Sequence, residues 1–246
     1  MADNLNLEKI LFLDIETVPQ FESYSRLPVA DKELWDYKAV HLKKVDTDTA
    51  ESLYPRAGIY AEFGKIVCIS VGWFMTESNK RHFKVKSFWG DDETGLLLKF
   101  RELLMSSYNK SSHLLCAHNG KEFDFPYLCR RMLLNKIRIP DILNIGGKKP
   151  WEVQHLDTMD MWRFGDYKSY TPLKLLTHIF NIPSPKDEID GSEVWHVYWK
   201  DKDLRRIAKY CQKDVVAIAR LLLAFRNDSE LIDSQFLITD LLFFLK

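Results

Sequence analysis

At 246 residues the chain has the length of one compact catalytic domain with a sizeable core, and a single domain over 1–246 is expected. Lysine plus arginine and aspartate plus glutamate stand at 35 each, so the chain lacks the global basic excess of a protein that coats nucleic acid, and any contact with a polyanion has to be local or bridged by metal. Cys68, Cys116, Cys129 and Cys211 are scattered, form no Cys-x-x-Cys pair and lie mostly in apolar segments, which reads as buried thiols in a reducing compartment. The polar start and the short apolar run broken by Asp14 and Glu16 suit neither a signal peptide nor a membrane span, so a cytoplasmic protein is expected.

In chain order, residues 9–15, rich in Ile, Leu and Phe and too short for a helix, predict a first strand. The polar stretch 20–60 carries helical periodicity over 32–42 and a turn at Tyr54-Pro55, and reads as an insertion between the first two strands, bordering a site. Residues 65–74 and 81–89 predict two strands, 94–105 a helix opened by Asp91 or Asp92, and 114–117 another short strand. Helices are expected over 125–134, 172–180 and 203–225, and a helical tail from about 229, over 230–245. The run from Ile145 through Gly146, Gly147, Lys148 and Lys149 to Pro150 is a loop. The order is strand, strand, strand, helix, strand, followed by a mostly helical second half.

Three short acidic motifs punctuate this order. Alternate residues of a strand project from one face, so Asp14 and Glu16 point together while Ile15 goes to the opposite side. Two carboxylates a few ångströms apart raise each other's pKa, a conflict that a cation resolves, although a lone Asp-x-Glu is equally the mark of a solvated strand end. The second motif, Asn119 to Asp124, falls where a strand gives way to a helix; Asn119 and Gly120 suit the turn and Asp124 the first helical turn, where simple capping also explains it. In the third, Tyr210 and Asp214 lie four apart on one helix face, bordering the apolar stripe of Ile207, Cys211, Val215, Ile218 and Leu222. As an isolated pair they read as an interfacial tyrosine and a surface acid. Capping and solvation do not explain why the three occur in this order at domain-sized separations.

With these motifs the sequence resembles the DEDD superfamily of 3′-to-5′ exonucleases: Asp14 and Glu16 match its first motif, Asn119 to Asp124 its second, Tyr210 to Asp214 its third. The segments around Leu156-Asp157-Thr158-Met159-Asp160, 169–176 and 190–194 resemble those of bacterial predicted exonucleases related to the proofreading domain of family B DNA polymerases. The branch with a catalytic histidine carries it five residues before the last aspartate, where this chain has Lys209; Tyr210, four before, places it in the tyrosine branch. The resemblance implies an α/β, ribonuclease-H-like fold, a mixed sheet flanked by helices. It implies two divalent ions, Mg2+ or Mn2+, held by Asp14, Glu16, Asp124 and Asp214, with Tyr210 orienting the attacking water and Asn119 and Thr17 contacting the terminal nucleotide. The all-oxygen donor set suits those hard ions better than zinc.

The substrate this implies is the 3′ end of single-stranded DNA or RNA; a deoxyribonuclease is the first reading, an exoribonuclease the alternative, and a non-catalytic nucleic-acid-binding module a third. A proofreading role would need a separate polymerase; repair or trimming would not. Lys136, Arg138, Lys148 and Lys149, followed by Trp162, Phe164, Tyr167 and Tyr170, could track a strand, or could be a solvated loop and core aromatics. The histidines lack ligand spacing and read as structural or surface residues. The apolar tail 236–245 is too short to cross a bilayer and suits a packed terminal helix or a contact with another subunit.

Overall fold

The structure, a computed structural model, describes residues 5–166, 168–183, 189–228 and 235–238. Strand β1 (Ile10–Pro19) is buried at every position but Asp14 and Thr17, because both its faces are covered, and this is why its sequence is an almost unbroken apolar run. Helices α1 (Val29–Val40) and α2 (Ala50–Leu53) and a 3₁₀ turn (Tyr54–Ile59) follow. They share a small core of Trp35, Ala39, Leu53, Tyr54 and Ala57, and the fully buried Trp35 donates its indole N–H to Ala50 O at 2.7 Å. This segment is tied to the main body by Tyr127, whose hydroxyl donates to Gly58 O at 2.7 Å.

Strands β2 (Gly64–Glu77) and β3 (Lys80–Trp89) form a hairpin closed by Ser78 and Asn79, with φ of 51° and 60°, the pair of positive angles that a tight two-residue hairpin turn requires. Helix α3 (Glu93–Ser107) starts at Asp92, whose carboxylate accepts from Gly95 N at 3.0 Å. Then come β4 (Leu114–Ala117), α4 (Asp124–Leu134), β5 (Leu156–Asp157), α5 (Thr158–Arg163), α6 (Leu173–Ile179), α7 (Val194–His196) with a π-helical turn (Val197–Asp201), α8 (Leu204–Phe225) and β6 (Phe236–Ile238). The mixed six-stranded sheet has the order β5-β4-β1-β2-β3-β6, with β1–β2 and β2–β3 antiparallel and the other pairs parallel.

Helices α3 and α4 cover one face, where Leu11, Leu13 and Ile15 meet Leu97, Phe100, Phe125 and Leu128. Helix α8 covers the other, laying Val215, Ile218 and Leu222 on Ile10, Phe12, Phe74 and Phe83. It comes so close that a Cβ on Gly72 would stand 2.8 Å from Val215 Cγ1. A buried ion pair locks the first layer: Arg131 of α4 donates to both carboxylate oxygens of Glu93, at 2.8 and 2.6 Å, and to Ala61 O at 2.7 Å.

The helical tail expected from about 229 is overturned where the chain is described. Residues 236–238 form a strand, pairing Phe83 with Phe236 and Val85 with Ile238, because the outer edge of β3 offers unpaired backbone groups that a short apolar segment satisfies. The rest of 230–245 lies outside the described residues. Strand β5, two residues long, is too short to carry a periodic signal. Among the described residues no helix is long and apolar enough to cross a membrane.

Candidate active site

Asp14 and Glu16 sit on β1 at the centre of the sheet, and the alternation of the strand sends Ile15 into the α3/α4 core and the two carboxylates toward α8. Asp14 faces Ser70 and Glu16 faces Cys68, and immediately after Glu16 the register slips, Thr17 pairing with Ile66. This bulge bends the strand directly beside its acidic residues. Glu16 is 7% exposed. Asp14 is half-buried, with its Oδ2 sealed from solvent and without a hydrogen-bond partner.

Asp124 enters from the other layer as the first residue of α4, 3% exposed, and its Oδ1 accepts from Ile15 N on β1 at 3.2 Å. The preceding turn needs its two small or adaptable residues: Asn119 has φ 62°, and a Cβ on Gly120 would lie 2.4 Å from the Cβ of Ala117. Asp157, at the end of β5, holds this turn, accepting from Asn119 N at 2.9 Å and Lys121 N at 3.0 Å. It also caps α5 by accepting from Met159 N at 3.0 Å. The side-chain Oδ1 of Asn119 is buried without a partner.

Helix α8 supplies Tyr210 and Asp214, one turn apart, half-buried at the border of the buried stripe that includes Ile207, Cys211 and Val215. The Tyr210 hydroxyl donates to the Asp214 carboxylate. Between the helix and β1, Cys211 Sγ donates to Asp14 O at 3.3 Å, and the ligand atoms of Asp14, Glu16 and Cys211 all lie within 4.8 Å of one another.

These groups sense one another. Burial first, then the charges of Asp214 and Asp124, hold the Asp14 carboxyl well above the usual carboxylate range. Burial followed by Asp14 and Asp214 does the same to Glu16. Burial pushes Asp124 up to about 7, with Asp157 adding to it and hydrogen bonds from its own amide and that of Ile15 opposing it. Tyr210 is raised far above its ordinary value by burial and then by Asp214, Glu16 and Asp14. The expected residues Asp14, Glu16, Asp124, Tyr210 and Asp214 therefore converge in one pocket. A sealed, unpartnered carboxylate oxygen amid like charges is the arrangement that hard divalent cations satisfy, so this donor set fits such ions.

Other expected residues have different situations. The Thr17 side chain is engaged by the Tyr127 hydroxyl just past the bulge. Trp162, counted above in a possible nucleic-acid track, is a core residue, stacked on Phe225 at 6.2 Å and edge-on to Phe180 at 5.7 Å. Trp151, Phe164 and Tyr170 are exposed, and Tyr167 lies outside the described residues. His118 and His155 are satisfied internally: His118 contacts Thr158 Oγ1 and Thr171 O, both at 2.9 Å, while His155 accepts from Leu115 N at 3.2 Å and bonds Ile142 O at 2.7 Å. Cys68, Cys116 and Cys211 are buried thiols, as the sequence indicates. Asp157 is a support for the site that the sequence reading does not single out: the short helix it caps is not an expected element, and nothing local points to the second loop it also holds.

Residues 59–236, well over half of the chain, match the family described as predicted 3′-5′ exonucleases related to the exonuclease domain of PolB. Asn119, Asp124, Tyr210 and Asp214 fall inside the matched span, whereas Asp14 and Glu16 precede it and join the others through the sheet. The mixed sheet between helical layers is that of a ribonuclease-H-like exonuclease domain. The chain belongs to this family of predicted 3′-5′ exonucleases, and is thereby a hydrolase.

Proposed function

We propose that the chain is a 3′-to-5′ exonuclease of the tyrosine branch that removes nucleoside 5′-monophosphates from the 3′ end of single-stranded nucleic acid, DNA in the first instance. The observation that carries this reading is the convergence of the carboxylates: Asp14 and Glu16 within 4.8 Å of each other, Asp124 bonded to the strand between them, and Asp214 close enough for its charge to raise Asp14 and Glu16. These four carboxylates would hold two magnesium or manganese ions, which when bound supply an activated water and stabilise the leaving 3′ oxygen.

The chain's own groups do the positioning. Tyr210, kept protonated, orients the attacking water through its hydroxyl and is no general base at neutral pH. Asp157 acts through the turn it holds, setting the place of Asn119, whose buried, unpartnered Oδ1 is available to the terminal nucleotide along with the backbone at Thr17. The test is product analysis on 3′-labelled and 5′-labelled oligonucleotides, DNA and RNA in parallel, with Mg2+ or Mn2+. Stepwise shortening from the 3′ end is expected from the wild type, with loss of activity of at least 10²-fold in Asp14→Ala. Equal activity in that variant, or none in the wild type with either metal, overturns the reading.

A further inference from the structure

We infer that the exposed basic face formed by the π-helical turn and the first turns of α8 is the track that carries the single strand's phosphates to the pocket. This inference rests on the nuclease reading above. From Lys200 to Lys213 the chain has six cations, Lys200, Lys202, Arg205, Arg206, Lys209 and Lys213, against two acids, Asp201 and Asp203, in a protein whose charges balance as a whole.

Helical geometry sets their relation to the site. Arg206 lies one turn before Tyr210, and Lys213 less than one turn after it, so the two bracket the tyrosine on its own face. Arg205, Lys209 and Lys213 repeat every four residues, about 6 Å apart along the axis, as a stripe beside that face, and Arg205 and Lys209 are exposed. The first turn of α8 carries these arginines and no acid, the arrangement a helix dipole disfavours; Asp203 caps the helix and Asp201 pairs with Arg206 at 3.5 Å, a local role that covers Arg206 and does not extend to Arg205 and Lys209.

The turn before α8 is held in place next to β1. Trp199 donates its indole N–H to Pro19 O at 3.1 Å, and Trp195 to Glu22 O at 3.3 Å. Pro19 is three residues beyond Glu16, about 10 Å along the strand. Lys202 stands 4.8 Å from the centre of the Trp199 ring; Lys65, 5.3 Å from it, donates to the Tyr198 hydroxyl at 2.7 Å, and Lys200, 5.8 Å from the Trp195 ring, pairs with Glu22 at 2.9 Å, so these ammonium groups are held in place, that of Lys200 already against an acid. Pre-placed cations leading to a metal pocket complement a flexible polyanion, and a π-helical turn at this point fits the recurrence of such turns at functional sites.

Binding of a fluorescent single-stranded oligonucleotide, followed by anisotropy in EDTA over a series of salt concentrations, tests this without cleavage or metal contacts. Arg205→Ala with Lys209→Ala should shallow the slope of log affinity against log salt by about 1.4, at about 0.7 per single-strand phosphate contact, and weaken low-salt binding roughly tenfold. Lys209→Ala alone should give about half the slope change. Lys148→Ala with Lys149→Ala, in the loop before Trp151, should leave the slope as it is. An unchanged slope in the α8 variants, or a change in the loop variant instead, overturns the inference even if the wild type degrades single strands normally. A wild type that neither binds nor cuts them overturns the nuclease reading itself.

Discussion

Tyr210 combines a hydroxyl bonded to Asp214 with a pKa driven far upward by burial and three neighbouring carboxylates, and this leaves it a neutral hydrogen-bond donor. On the function proposed above, such a group would position the attacking water rather than take its proton. Tyr210→Phe is therefore expected to lower kcat about 10- to 100-fold with little change in KM, while the thermal midpoint stays close to that of the wild type. Steady-state kinetics on a single-stranded substrate check this, and a KM rising in proportion with kcat intact would assign the hydroxyl to ground-state binding instead. Asp157 shows what a residue does from outside the pocket. It is nearly buried and spends its carboxylate on the amides of Asn119, Lys121 and Met159, fixing a loop that an unsupported left-handed Asn119 would not hold by itself. Its cap on α5 goes unread because that six-residue helix is not among the expected ones, and its loop contacts depend on β5 lying beside β4, which no local pattern encodes.

At the scale of elements, the long apolar strand, the hairpin and α8 follow from periodicity, turn chemistry and capping, and their observed bounds lie within a few residues of the expected ones. The short pieces do not, because two residues of β5 and three of β6 acquire their conformation from the edges of neighbouring strands. The bulge after Glu16 is likewise a property of the β1–β2 pairing and not of β1. The α3–α4 layer depends on the Arg131–Glu93 pair, whose carboxylate also accepts from Ile66 N at 2.8 Å and so binds both helices to β2. Arg131→Ala leaves Glu93 buried without its partner, and should cost about 3–5 kcal/mol in urea denaturation. Adding Glu93→Leu should recover only part of this, since Ile66 N–H and Ala61 C=O stay without partners. Loss of less than about 1 kcal/mol in the single variant would show that the pair is replaceable by water.

For the molecule as a whole, the acidic pocket sets the stability of the metal-free fold against the cation binding proposed for it. The Asp124 carboxyl titrates near 7 in the folded state and near 4 when unfolded, so between those values the folded state holds the additional proton. Asp14 and Glu16 are shifted in the same direction. The metal-free protein should therefore lose stability as pH rises from about 4 through about 7, and a divalent ion should relieve this by taking the place of the protons. Thermal unfolding with EDTA and with Mn2+ is expected to show a metal-induced rise in Tm that grows from pH 5 to pH 8. A rise independent of pH would mean that the ion binds away from these carboxylates.

By itself the sequence determined the central strand, the three acidic motifs and the helix face shared by Tyr210 and Asp214, because each is encoded by the spacing of residues along one element, and the resemblance those motifs carry implied the class of the fold. Only the tertiary structure decided that β1, α4 and α8 bring those motifs to one place, that Asp157 braces the turn, and that Trp162 packs against the core. Convergence of distant segments, burial and the resulting shifts in pKa are set by which surfaces pack together, a property no single stretch of chain contains.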